Sequence, residues 1–150
     1  MEAAAAYLHF FSILLLSGLL VTQFALCSRD LQPPHVQTLA RVDMFYLAAA
    51  VLAFATGLAR LFVAERGASF YFMNPVFYIK VALFLAMVLI SVMPTLQFIR
   101  WNRALKTGEG RVLRGVDIET ARRYIALEIL LLACIPLAAV LMARGIGLQH

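Results

Sequence analysis

Five ionisable side chains lie inside long, mostly apolar stretches of this sequence: His9, Asp43, Arg60, Lys80 and Glu128. Imidazole is a common ligand of haem iron and of other metal ions. Ammonium and guanidinium groups hold carboxylates and other anions, whereas carboxyl groups relay protons or pair with cations. Because ionisable groups are costly in lipid and turn toward the protein interior, these five are the candidate functional residues.

The stretches that must position these groups are predicted to be transmembrane helices. Of the 150 residues, 63% are hydrophobic and 14% are charged, whereas about a quarter of a soluble domain is charged. The composition excludes a disordered chain, and two cysteines are too few for a secreted disulfide scaffold. The predicted fold class is all-α, an integral membrane four-helix bundle with short loops. It forms one domain over residues 1–150, with spans at about residues 4–27, 43–63, 76–99 and 124–143.

The distribution of basic residues predicts the orientation of the bundle. Nine of the 13 lysines and arginines fall in or beside the first and third connections, which share a side, and three fall on the opposite side. By the positive-inside rule, both termini are expected in the periplasm of a bacterial inner (plasma) membrane. The first stretch is interpreted as a retained helix, because its only early charge is Glu2 and a signal peptide starts with basic residues. The net charge of +5 is therefore a topology signal, and no nucleic-acid partner is predicted.

Each predicted span carries one stripe, at spacings of three and four residues, that is expected to face the bundle interior. Depth along the helices sorts the ionisable groups into an outer basic site and an inner carboxylate site, with an apolar middle between them. The outer site holds His9, Arg60 and Lys80. The inner site holds Asp43 and Glu128. The four stripes are His9, Ser12, Leu16, Leu19, Gln23; Asp43, Tyr46, Ala50, Ala53, Gly57, Arg60; Phe77, Lys80, Phe84, Met87, Ser91, Pro94; and Tyr124, Glu128, Leu131, Ile135, Ala138, Met142.

Each candidate residue at the outer site has an alternative interpretation. His9 is either a haem or metal ligand or a side chain hydrogen-bonded between helices; copper is a further option for it, and Met87 or Met142 are candidate second ligands of a haem iron. Lys80 and Arg60 either clamp an anionic group or extend to the lipid headgroups.

The inner carboxylates and one aromatic residue are also open to two interpretations. Asp43 and Glu128 either relay protons or pair with the nearby Arg41 and Arg122. Asp43 is interpreted mainly as a cap in the first turn of its helix, so Glu128 is the stronger functional candidate. Trp101 is predicted to be an interfacial anchor.

Several short segments resemble one bacterial family, the four-helix membrane proteins catalogued as domain of unknown function 2214. The resemblance covers nearly the whole chain, and six separate pieces fall in order. It implies a four-helix membrane protein and no particular activity. The pieces are Tyr7-Leu8-His9-Phe10; Arg41-Val42-Asp43; Thr56-Gly57-Leu58-Ala59-Arg60; Asn74-Pro75 through Lys80; Pro94-Thr95-Leu96 with Phe98-Ile99-Arg100-Trp101; and Glu128 with Ala143-Arg144-Gly145-Ile146-Gly147.

The positions of His9, Lys80 and Glu128 also resemble, more distantly, the HemJ-type protoporphyrinogen oxidases and the CopD-like membrane proteins. Those oxidases have a histidine early in the first span, a lysine early in a later span and a glutamate in the last. The resemblance implies tetrapyrrole chemistry, with haem b bound through His9 and catalytic roles for Lys80 and Glu128. The pair Arg41-x-Asp43 and the Pro94 region depart from that pattern.

Three functions follow as hypotheses. The first is a haem-binding oxidoreductase that acts on a tetrapyrrole or a quinone. The second is a non-catalytic accessory or scaffold subunit of a larger membrane complex, or a homo-oligomer. The third is a permeation element, which the apolar middle of the stripes disfavours. No motif for nucleotide binding or a nucleophilic triad is found.

Overall fold

The computed structural model describes residues 2–28, 31–63, 72–108 and 115–144, and within them the chain forms four α-helices and no strand. The helices are α1 (Glu2–Leu26), α2 (Pro33–Val63), α3 (Pro75–Lys106) and α4 (Gly115–Ala143). All four are long and apolar enough to cross a membrane. The predicted all-α four-helix membrane architecture is confirmed.

Consecutive helices run antiparallel and pack around one interior. The most extensive packing joins α1 to α2 and α3 to α4, and smaller contacts join α2 to α3 and α1 to α4. Helices α1 and α2 form one hairpin, and α3 and α4 form the other. We call the end of the bundle that holds Tyr7 and Arg144 the terminal end, and the other end, which holds Cys27 and Lys106, the opposite end.

Proline and asparagine residues set where two of the helices begin. Helix α2 starts at Pro33-Pro34, because proline lacks the N–H that the first turn of a helix leaves unbonded. Helix α3 starts at Pro75, preceded by Asn74, whose side chain accepts a hydrogen bond of 2.9 Å from the backbone N–H of Val76.

The early start of α2 corrects the interpretation of Asp43. The helix begins ten residues before Asp43, which therefore lies within the helix and caps no free N–H group. The apolar pattern begins only near Asp43, so hydropathy located the apolar part of the helix and missed its polar first turns.

The core extends along the bundle axis and into the opposite end. Leu16, Leu20 and Met87 are fully buried near the middle, and Phe98 and Trp101 are buried closer to the opposite end. Trp101 is only 2% exposed and its ring lies 5.7 Å from that of Phe98. The prediction that Trp101 is an interfacial anchor is wrong, because α3 continues past it and packs it into the core.

The outward faces of all four helices carry exposed apolar side chains. Leu14, Phe62, Leu89 and Leu130 are among them. A water-soluble surface would not present such a continuous apolar exterior. The exterior indicates a lipid bilayer environment.

The buried positions largely follow the predicted stripes. Ser12, Leu16 and Gln23 of α1 are buried, and so are Met87 and Ser91 of α3. In α4 the burial is shifted by one residue at two levels: Ile125 and Leu132 are buried, whereas Tyr124 and Leu131 are only half-buried. The side chain of Met142 lies outside the described part of the chain.

Arg122 joins α4 to the C-terminal end of α1. Its Nη1 donates hydrogen bonds to the backbone carbonyls of Phe24 (3.3 Å) and Cys27 (3.0 Å), and its guanidinium lies 4.0 Å from the centroid of the Phe24 ring. These carbonyls belong to the last turn of α1, which has no helical donors for them. A cation at this position also interacts favourably with the helix dipole.

We expect Arg122→Ala to lower the free energy of unfolding by about 1.5–3 kcal/mol, the range for hydrogen bonds to charged groups. Arg123→Ala is the matched control. Arg123 forms an exposed ion pair with Glu119, at 2.8 Å, with side chains 78% and 44% exposed, and such pairs contribute about 0–1 kcal/mol. Thermal and denaturant unfolding in detergent micelles measures both variants. Equal losses for the two arginines would contradict the capping role.

Candidate functional site

His9 lies against α2, held by Thr56. The distance between His9 Nδ1 and Thr56 Oγ1 is 3.1 Å, and the carbonyl of Ala53 also lies near the ring. Gly57 lets the two helices approach: a Cβ atom there would lie 3.0 Å from His9 Cε1. The ring therefore faces the neighbouring helix.

The hydrogen bonds of Thr56 indicate the tautomer of His9. The Thr56 hydroxyl has one proton, and its shortest contact is with the backbone carbonyl of Leu52 at 2.7 Å, whereas the carbonyl of Ala53 and Ser12 Oγ lie at 3.2 and 3.3 Å. We assign the Thr56 proton to Leu52 and the proton of the His9–Thr56 bond to Nδ1. In a neutral imidazole the lone pair is then on Nε2, and Thr56 is the one side chain in the described residues that is hydrogen-bonded to the ring. A partner that orients the ring through one nitrogen and leaves the other free is the usual arrangement of a ligating histidine.

Two cationic side chains lie at the same end of the bundle as His9. Arg60 lies 5.6 Å from the centroid of the Phe10 ring, and Lys80 Nζ lies 5.8 Å from that of Phe77. The charges of Arg60 and Lys80 both act on His9, and the charge of Arg60 acts on Lys80. Neither cation forms an ion pair with a residue in the described ranges. The three residues predicted for the outer site thus share one region.

The interior is less tightly closed at the terminal end than toward the opposite end. Inward-facing positions there, including His9, Lys80, Phe84 and Ile135, are half-buried. Deeper inward positions, such as Leu20, are fully buried. His9 and Lys80 are therefore partly accessible at this end, which also contains a buried apolar cluster of Leu61, Val76, Phe77 and Ala138.

Toward the opposite end, a buried group of polar side chains joins all four helices. We call Gln23, Asp43, Tyr46, Thr95 and Glu128 the acid cluster. Asp43 Oδ1 accepts hydrogen bonds from Gln23 Nε2 (3.1 Å) and Thr95 Oγ1 (3.2 Å). The Tyr46 hydroxyl donates to Glu128 Oε2 at 2.7 Å. The last bond crosses the bundle axis, since α2 and α4 are diagonal neighbours.

The two acids do not pair with the arginines that the sequence suggested. Arg122 is bonded to carbonyls of α1, Arg123 to Glu119, and Arg41 is exposed. That prediction is wrong. Arg41 and Asp43 are two positions apart in α2, with only Val42 between them, which places their side chains on nearly opposite faces of the helix.

The described structure does not bring Lys80 and Glu128 together. Glu128 contacts Tyr46, whereas Lys80 lies near the level of Gly57, eleven residues further along α2. At about 1.5 Å per residue, the two levels are about 16 Å apart. Leu16, Ala50 and other apolar side chains fill the interval.

A groove of about 500 Å³ opens near the opposite end and is distant from His9. Both arginines that line it are already engaged, one with backbone carbonyls and one with Glu119. Its lining residues are Phe24, Ile118, Glu119, Arg122, Arg123 and Ala126.

Within the described residues, no group of three or more His, Cys, Asp or Glu side chains is arranged to hold a metal ion. Cys27 and Cys134 are free thiols. The copper interpretation of His9 therefore has no companion ligands from these residue types in the described ranges. A haem requires fewer ligands from the protein, because its porphyrin supplies four and a single imidazole can bind the iron.

The sequence stripes located His9, Asp43 and Glu128 together with Gln23 and Tyr46, but missed two of their partners. Thr56 was missed as the partner of His9, although it directly precedes the inward-facing Gly57. Thr95 was missed as a partner of Asp43. A polar residue beside a stripe is the signal that could have found both.

Comparison with known proteins adds a family to this geometry. Residues 1–147 match the family model described as predicted membrane protein (DUF2214). The chain belongs to this family. The match includes His9, both cations of the outer site and the whole acid cluster, so both sites lie in the DUF2214 region. No curated protein and no solved structure matches the chain.

Proposed function

We propose that this DUF2214 protein binds haem b through His9 and acts as a membrane redox protein on a tetrapyrrole or a quinone. The observation that supports the proposal most is the fixed imidazole. With the Nδ1 proton assigned to the bond with Thr56, the lone pair on Nε2 would be the one to bind an iron ion.

The residues around His9 suit a haem group. Arg60 and Lys80 supply two positive charges that no described side chain neutralises, and haem propionates are carboxylates. Phe10, whose ring centroid lies 6.4 Å from that of His9 and whose side chain is exposed, offers an apolar surface for a flat macrocycle. When bound, haem iron supplies one-electron transfer.

Of the two cations, Arg60 and Lys80, the role of substrate binding is assigned to Lys80. Its amine carries protons and a positive charge at the same end as His9, so it would bind an anionic substrate and hold it in position. Glu128 lies about 16 Å away along the axis and is assigned no contact with that substrate.

The proposed location is the inner (plasma) membrane of a bacterium, with the terminal end toward the periplasm. The support for this is the excess of lysine and arginine in the connections at the opposite end. In this orientation His9, Arg60 and Lys80 would lie near the outer surface, and substrate would bind and leave there.

An absorption spectrum tests the proposal. Protein purified from haem-replete cells is expected to show a Soret band that His9→Ala removes. The matched control is His35→Ala, since His35 is exposed near the start of α2. Helical content by circular dichroism should be unchanged in both variants.

Colourless protein that also fails to bind added haem would contradict the proposal. Co-purification with stoichiometric partner proteins would then favour the accessory-subunit function. A Soret band retained in His9→Ala but lost in another variant would show that the iron ligand was misassigned.

A further inference from the structure

Glu128 has one oxygen with no partner. Its side chain is 0% exposed, and Oε2 accepts the hydrogen bond from Tyr46. Oε1 has an accessible area below 1 Å² and no hydrogen-bond partner. A buried polar atom without a partner is rare and requires a physical explanation.

The space at Oε1 limits what that ligand can be. An atom with so little accessible area is not touched by a sphere the size of a water molecule, whether from outside or from a cavity. A sodium ion or an ordered water would require such a space and several further oxygen ligands. A proton requires neither.

The surroundings disfavour a negative charge on Glu128. The titratable groups that face it are Asp43 and Tyr46, both on α2. Helix α1 contributes the neutral Gln23, and α3 contributes the neutral Ser91 and Thr95. No cation in the described ranges is bonded to either acid. An unpaired carboxylate in such a dry interior is far more costly than a carboxylic acid.

The hydrogen bonds distinguish the two acids. Asp43 accepts from two donors, Gln23 and Thr95, which stabilise a carboxylate. Glu128 accepts from one donor, Tyr46. Of the two, Glu128 is therefore the acid that holds the proton.

We propose that Glu128 is a proton-binding site, protonated on Oε1 while the acid cluster is shielded from water. Uptake converts the carboxylate and one proton to a carboxylic acid, and release returns the proton to water. Release leaves a negative charge beside Asp43, so it requires water to reach the acid cluster. The site stores one proton in the middle of the four helices, and this inference does not depend on haem.

Infrared spectroscopy of the full chain in lipid vesicles tests the site. We expect a carboxylic-acid C=O band at neutral pH that shifts in D₂O, since the proton exchanges. Glu128→Gln should remove the band. Glu119→Gln is the control and should leave it, because the exposed Glu119 is a carboxylate paired with Arg123.

Tyr46→Phe provides a second readout that preserves the acid. Loss of its hydrogen bond to Oε2 should move the band to higher frequency without removing it, so the assignment survives even where Glu128→Gln does not fold. Absence of the band, its loss in Asp43→Asn instead, or its disappearance on addition of sodium chloride at constant pH would overturn the proposal.

Discussion

Asp43→Ala is expected to lower the free energy of unfolding by about 2–5 kcal/mol. The substitution removes the acceptor for two buried donors, the Gln23 amide and the Thr95 hydroxyl. Each buried donor left without a partner costs about 1–3 kcal/mol. Because the donors come from α1 and α3, the variant should also loosen the contact between the two hairpins.

Two control variants separate the lost acceptor from the loss of a side chain. Asp43→Asn keeps an oxygen at the Oδ1 position, and we expect a loss of less than about 1 kcal/mol, as for other small changes that leave no group unpaired. Met44→Ala removes the adjacent, 71% exposed side chain and should change little. Unfolding in detergent micelles compares the three. Equal destabilisation by alanine and asparagine would show that Oδ1 does not carry the interaction.

Under the haem binding proposed above, Gly57→Leu is expected to lower the affinity for haem more than tenfold. A Cβ atom at residue 57 would already lie 3.0 Å from His9 Cε1, so a leucine side chain must displace the ring. The ring would then lose Thr56 Oγ1 as its acceptor, and Nε2 would no longer be held in one direction. Crowding of a packed contact costs a further 1–3 kcal/mol or so in stability.

Gly18→Leu is the matched control for this substitution. A Cβ atom at Gly18 meets nothing within 4 Å, and Gly18 lies on an exposed face of α1. Replacement of a helical glycine there should stabilise the protein slightly, by about 0.5–1 kcal/mol. Titration with haem, followed by absorbance, measures the affinity of both variants. Wild-type affinity in Gly57→Leu would disprove the geometry proposed for His9.

The sequence predicted the helices and their inward faces because apolar periodicity determines both. Ser12, Gln23, Tyr46 and Glu128 were all assigned to inward stripes and are buried. A stripe gives the rotation of each helix to within about one residue, which is why Leu131 was chosen where Leu132 is buried.

The sequence pattern could not predict which side chains form hydrogen bonds between helices. Whether Thr95 or an arginine meets Asp43 depends on axial shifts of a few ångström between helices. Those shifts are set by packing of the whole bundle, including Trp101 and Phe98. The start of α2 was missed for another reason: Pro33 sets it, and hydropathy does not register a polar first turn.

The diagonal bond between Tyr46 and Glu128 has a consequence for how molecules reach His9. It joins α2 of one hairpin to α4 of the other near the acid cluster, whereas toward the termini the two hairpins meet through the apolar cluster of Leu61, Val76, Phe77 and Ala138. Lipid tails can replace apolar contacts at little cost, so we expect the hairpins to separate sideways first at the terminal end. An apolar molecule dissolved in the bilayer would then arrive laterally, without passing through water.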